Sequence, residues 1–226
     1  DLYDKKIIFN SDNSFIGNDK ITFSGKIFLD PFNFDVNTSL DNLKLIKLFQ
    51  NNNFLKEILS NEFFLNENFN GVIKLSVDNL ENHPLFDSLK INANFVGQTI
   101  DLSSSAFLNK KIANLILEKG TLYEEQNNLI FKGELEFKIN DLNKLFNKFV
   151  VPKKNRNNFD KIKFDIMMNL TNSDFRILKI VNYSFKDKEF QDIDNLIYEF
   201  NSGGIKITNW IEFKIFANKL ISFYSG

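Results

Sequence analysis

His83 is the single histidine of the 226-residue chain, and it lies in the run Glu81-Asn82-His83-Pro84-Leu85. A general base, a zinc site or a Ser-His-Asp triad would each have to run through that one imidazole. The chain has no cysteine and no second histidine, so a zinc ion would lack its usual ligand partners. A polar turn residue ahead of a proline is the simpler role. Ser103-Ser104-Ser105 has neither the glycine pattern of a nucleophile elbow nor a nearby base. Glu124-Glu125 stands just before Gln126-Asn127-Asn128, between two apolar segments, as at a solvated hairpin tip rather than as an acid/base pair. Asp192 and Asp194 begin like a calcium loop, but the glycine and the terminal glutamate are missing. Walker and dinucleotide glycine patterns are absent, and Gly203-Gly204 reads as a helix stop. The reading is therefore a non-enzyme with no catalytic residues, no metal and no cofactor. A carbohydrate-active enzyme built from carboxylates on distant strands stays open as a minor alternative, because such pairs leave no local signature.

Charge narrows the partners. Lys+Arg is 28 and Asp+Glu is 29, so no cationic excess exists to hold a polyanion, and nucleic acid is not an expected partner. Only Arg156 and Arg176 offer the guanidinium fork that favours phosphate. The chain holds 27 Phe beside abundant Asn, Lys and Ile, a set that A/T-rich codons would produce without selection for aromatic function. Wherever the pattern points inward, that phenylalanine still fills a core or lines a groove. Apolar runs last only a few residues, far short of the roughly 20 that span a bilayer. The chain begins at Asp1 rather than Met, which leaves room for an upstream signal or anchor outside it.

Strict alternation dominates the rest. Ile21, Phe23, Gly25, Ile27 and Leu29 alternate with Lys20, Thr22, Ser24 and Lys26. A period of two sends these sets to opposite faces of a strand. Beyond Asp30-Pro31 the parity switches to Phe32, Phe34 and Val36, which predicts a bend or bulge at the proline. Ile73, Leu75 and Val77 repeat the pattern, as do Leu89, Ile91, Ala93 and Phe95. Leu129, Phe131, Leu135, Phe137 and Ile139 give its cleanest form, followed by Ile162 to Leu170 and Phe175 to Tyr183. Such strands have one wet face, as in antiparallel meanders.

Helical spacing is confined to short stretches. Phe54, Leu55, Ile58, Leu59 and Phe63 form one; Leu142, Leu145, Phe146, Phe149 and Val150 form another, after the Asn140-Asp141 cap and ended by Pro152. Phe190, Ile193, Ile197 and Phe200 predict a third helix and residues 210–224 a fourth. Three copies of Phe-x-Gly open strands, at Phe23 to Gly25, Phe69 to Gly71 and Phe131 to Gly133. Each glycine marks an inward position where a side chain is absent, as at a close approach. The expected class is mainly β, a β-rich α+β fold. Its expected form is a curved antiparallel meander sheet with a few short helices, elongated and with an apolar side that forms either a hydrophobic groove or a closed core. Residues 1–226 read as one region. The polar stretch 152–158 is the natural sub-boundary, leaving 159–226 as a C-terminal β-hairpin plus helices.

Residues 21–42, 89–105 and 128–149 together resemble the C-terminal region of AsmA-like proteins of the alphaproteobacterial type. They carry alternating strands with Phe-x-Gly entries and an Asp141-Leu142…Leu145 step into a short helix. The resemblance implies a periplasmic protein anchored in the inner membrane and an elongated β-sheet with a hydrophobic groove. It implies a role in outer-membrane biogenesis, by lipid transport between the membranes or by support of outer-membrane assembly. Its implied partners are phospholipid acyl chains and other envelope proteins. Such families have no catalytic residues to carry over, so what the likeness implies is a lipid-contacting surface: Phe23, Ile27, Leu29, Ile73, Leu75, Ile91, Phe95, Phe131, Leu135 and Phe137. The alternative is a structural or interaction β module whose core is closed and holds no lipid.

Overall fold

The computed structural model of the chain describes residues 5–16, 19–44, 66–156, 158–172, 174–181, 187–203 and 210–224. It is mainly β, as the alternation predicts. The strands are β1 (Lys6–Ile16), β2 (Asp19–Leu29), β3 (Phe32–Leu43), β4 (Gly71–Leu80), β5 (Ser88–Val96) and β6 (Thr99–Asp101). They continue as β7 (Ala106–Leu108), β8 (Ala113–Glu125), β9 (Asn128–Ile139), β10 (Lys161–Asn169) and β11 (Asp174–Val181). All belong to one sheet, ordered β1-β2-β3-β4-β5-β6-β8-β9-β10-β11, with β7 bridging β5 and β8. β9 pairs β10 directly, so the sheet runs unbroken past the polar stretch 152–158.

Two local expectations change. The parity switch at Asp30-Pro31 is a reversal rather than a bend: β2 and β3 form a hairpin in which Leu29 pairs Phe32. A two-residue turn keeps both residues on one face, which is what the switch encodes. The meander is also broken once, because β3 and β4 run parallel. A parallel pair cannot be joined by a tight turn, and the long connection from Leu43 to Gly71 supplies the crossover. The helix expected over Phe54 to Phe63 lies outside the described residues.

The helices obey their caps. α1 (Leu142–Phe149) begins where the Asp141 side chain accepts from the Lys144 backbone N–H at 3.0 Å. It ends at Val150, whose φ of 58° is left-handed, before Pro152 can interrupt the ladder. A single 3-10 turn, Lys153–Asn155, follows. α2 (Asp187–Ser202) lies beside β11, and α3 (Trp210–Tyr224) packs against both α1 and α2.

The two sheet edges differ. On β11, the Ile177 backbone N–H donates to Asn201 Oδ1 at 3.0 Å, and Asn201 Nδ2 donates to the Ile177 carbonyl at 2.9 Å. This amide of α2 stands in for a missing strand and blunts that edge. β1 forms the other edge, and its Ile8 and Phe15 side chains are exposed.

Candidate functional site

Pairing register decides which side chains share a face, because residues opposite one another in a ladder point the same way. One row of partners crosses the entire sheet: Ile7, Ile27, Phe34, Gly71, Phe95, Ile100, Leu122, Phe131, Met168 and Phe175. Every member is apolar or glycine. A second row runs Ile21, Leu40, Val77, Leu89, Phe107, Leu115, Phe137 and Ile162. Ten strands at roughly 4.8 Å give the first row a length of about 40 Å.

All ten residues singled out from the sequence lie on this one face. Phe23, Ile27 and Leu29 come from β2, Ile73 and Leu75 from β4, Ile91 and Phe95 from β5, and Phe131, Leu135 and Phe137 from β9. Their surroundings differ. Leu75, Ile91 and Phe137 pack against a cluster sealed by Leu145, Phe146 and Phe149 of α1 and by Ala217 and Ile221 of α3. Next to it, Ile193, Leu196 and Phe200 of α2 cover Ile162, Ile177 and Ile180. At the far end no described helix takes part. Phe34, Phe69 and Phe95 close on one another with ring centroids 4.7 to 5.5 Å apart, and Ile27, Ile73, Ile91 and Phe131 pack around them. Phe95 is buried there. Phe23 and Leu135 are half-buried outside all three clusters, and Leu29 is 43% exposed. The face is thus continuous, but protein covers it at both ends.

The Phe-x-Gly copies acquire a physical reason. The Phe9 ring lies over its cross-strand partner Gly25, Phe34 lies over Gly71, and Leu117 lies over the facing pair Gly120 and Gly133. In each case a side chain at the glycine would collide with an apolar group already filling that space, at 2.4 to 2.8 Å from the nearest such atom. A large residue from the neighbouring strand replaces the missing one, and the apolar surface stays unbroken.

The opposite face is wet. Lys119 pairs Glu134 at 2.8 Å, Lys163 pairs Glu118 at 2.7 Å, and Glu136 sits between Lys161 and Lys163 at 3.2 and 3.4 Å. The hydrogen bond from Lys163 holds the Glu118 carboxyl below its ordinary range.

His83 Nδ1 accepts from the backbone N–H of Phe86 at 2.8 Å and of Leu85 at 3.2 Å, and its ring stacks on Phe86. Burial, helped by Lys148, lowers the imidazole pKa. The imidazole fastens the turn between β4 and β5. Gln126 and Asn127 both have positive φ, 51° and 60°, at the β8–β9 hairpin, which leaves Glu124 and Glu125 exposed at its tip. Among the described residues no three His, Cys, Asp or Glu side chains gather as a metal would require. None of the described helices is long and apolar enough to cross a membrane.

Residues that periodicity missed complete the face. Leu115, Leu117 and Leu122 of β8 join its two ends, and Ile7 and Phe9 of β1 extend it to the edge. Comparison of the chain with protein-family models, with curated proteins and with solved structures finds no match.

Proposed function

We propose that this chain is a non-enzymatic cell-envelope protein that contacts phospholipid acyl chains through the apolar face of its sheet. In this reading it is AsmA-like, works in the periplasm, is held at the inner membrane by an anchor outside this chain, and moves phospholipid between the membranes or supports outer-membrane assembly. One observation carries the proposal: the face that holds the row from Ile7 to Phe175 is apolar or glycine on ten of the eleven strands, from one edge of the sheet to the other, although Phe34, Phe95, Ile100 and Leu122 within the row are buried. A hydrocarbon chain on such a surface gains about 0.8 kcal/mol for each methylene removed from water. Of the ten residues singled out on that face, Phe23, Leu29 and Leu135 are the ones that no packed cluster claims.

Native mass spectrometry of gently extracted protein tests it. Phospholipid should accompany the folded chain, and a photoreactive acyl chain should attach near Phe23, Leu29 and Leu135 rather than at Phe95. Preparations that stay folded and lipid-free would defeat the reading.

The second reading, a structural or interaction module with a closed core, draws on the sealing of Leu75, Ile91 and Phe137 by α1 and α3. It predicts that no acyl probe attaches at any of the ten positions.

A further inference from the structure

The wet face of β2 to β5 differs from that of β8 to β10. Register aligns its side chains in two rows. Thr22 pairs Ser39, Ser39 pairs Ser76, and Ser76 pairs Lys90; alongside, Ser24 pairs Asn37, Asn37 pairs Lys74, and Lys74 pairs Asn92. These eight residues and Asp12 surround a trough of about 350 Å³, the size of a small-ligand site, with strand backbone as its floor. On β8 to β10, Lys119, Lys161 and Lys163 have carboxylate partners, while Lys132 and Lys138 of the same face have none within ion-pair distance among the described residues. In the trough, neither Lys74 nor Lys90 has a carboxylate within ion-pair distance among the described residues. The hydroxyls of Thr22, Ser24, Ser39 and Ser76 likewise make no hydrogen bond to a described protein group, although hydroxyls elsewhere do: Ser103 Oγ donates to Asp101 at 2.5 Å, and Thr171 Oγ1 accepts from the Leu129 N–H at 2.9 Å.

We infer that this trough binds a phosphorylated polyol, with the phosphate held between Lys74 and Lys90 and the hydroxyls met by Thr22, Ser24, Ser39 and Ser76. Lys74 and Lys90 stand diagonally on adjacent strands, where side-chain origins lie about 7 Å apart, so two flexible ammonium groups converge on one anion. The hydroxyls are each donor and acceptor, as a polyol requires. Asp12 fixes the orientation: it lines the trough from β1, on the far side of β2 and β3 from the lysines, so it repels the phosphate and accepts from ligand hydroxyls. A free sugar phosphate and a phosphoglycerol lipid headgroup share this chemistry. The trough lies on the side of the sheet opposite the acyl-contacting face, so the inference does not rest on that reading.

Calorimetric titration of the full chain with glucose 6-phosphate, and separately with phosphatidylglycerol vesicles, tests it. Saturable binding is expected, weakened at least tenfold in a K74Q/K90Q variant and also weakened in S39A/S76A. Binding of vesicles without the sugar phosphate identifies a headgroup, and the reverse identifies a free metabolite. L135A, on the other face, should leave the affinity unchanged. If neither probe binds, or if K74Q/K90Q binds as the parent does while its unfolding curve is unchanged, the site is not there.

Discussion

Phe34 covers Gly71, its partner across the parallel β3–β4 pair, so closely that a Cβ on Gly71 would stand 2.4 Å from the Phe34 carbonyl oxygen and 2.5 Å from its ring. Gly71 also has a φ of +157°. Its lack of a side chain lets Phe34 reach both Phe69 and Phe95, which close the end of the apolar face that no described helix covers.

Gly71→Ala should therefore cost about 2–4 kcal/mol, since both backbone and ring must move to admit a methyl group. Gly97→Ala is the control. Its φ of +57° is left-handed, but a Cβ there would meet only the Glu67 carbonyl, at 4.0 Å. That change should cost about 1 kcal/mol from conformation alone. Urea unfolding of the two variants separates collision from torsion; equal losses would refute the packing argument.

Leu117 makes the same point from the covering side. It is buried, faces Leu135 across β8–β9, and fills the space left by Gly120 and Gly133. Two adjacent glycines cannot collapse into a vacated site as side chains would. Leu117→Ala should accordingly fall in the upper part of the Leu→Ala range, about 3–5 kcal/mol. Leu29→Ala, at a residue 43% exposed on the same face, should cost less than about 1 kcal/mol. Denaturation midpoints give the comparison, and similar losses at the two positions would contradict this assignment of burial.

These glycines bear on what was legible in the sequence. Strands β2, β4, β5, β9 and β10 announce themselves because alternation survives along their length. β1 and β8 do not, since each carries an irregularity, between Ser11 and Ser14 and between Leu117 and Lys119, that shifts the inward set by one residue. The shift defeats a period-two reading even though the paired strand restores the face. α1 was legible from Asp141 and its apolar spacing, because caps are local chemistry. The parallel step from β3 to β4 was not, because no residue pattern encodes which edge a returning strand joins. Nor does alternation distinguish Leu29, exposed, from Phe95, buried: both point inward, and only tertiary placement decides what covers them.

Val150 is the one β-branched residue among the described residues held at positive φ, 58°, and it is 65% exposed. It closes α1 by donating its backbone N–H to the carbonyls of Phe146 and Asn147. Nothing in the core depends on its side chain, while its backbone sits where a branched Cβ is crowded. Val150→Gly should raise stability by about 0.5–1 kcal/mol, read as a higher melting temperature. A lower melting temperature would mean that the valine side chain contributes packing beyond its visible exposure.

His83 makes the fold sensitive to pH in a defined direction. Burial first, and Lys148 second, hold its pKa below the ordinary imidazole value of about 6.5, so the folded chain binds a proton less readily than the unfolded chain. Stability is then full above about pH 6.5 and falls as the pH drops through the interval between 6.5 and the lowered folded value. Protonation of Nδ1 would also remove the acceptor used by the Leu85 and Phe86 backbone N–H groups. Asparagine can supply a non-titrating acceptor to the same turn. His83→Asn should therefore flatten the stability profile between pH 7 and 5 with a modest loss at neutral pH, whereas His83→Ala should flatten it and cost about 1–3 kcal/mol. Unfolding free energies measured at half-unit pH steps decide this. If the parent and H83N fall in parallel over that interval, carboxylates elsewhere control the profile and the imidazole does not.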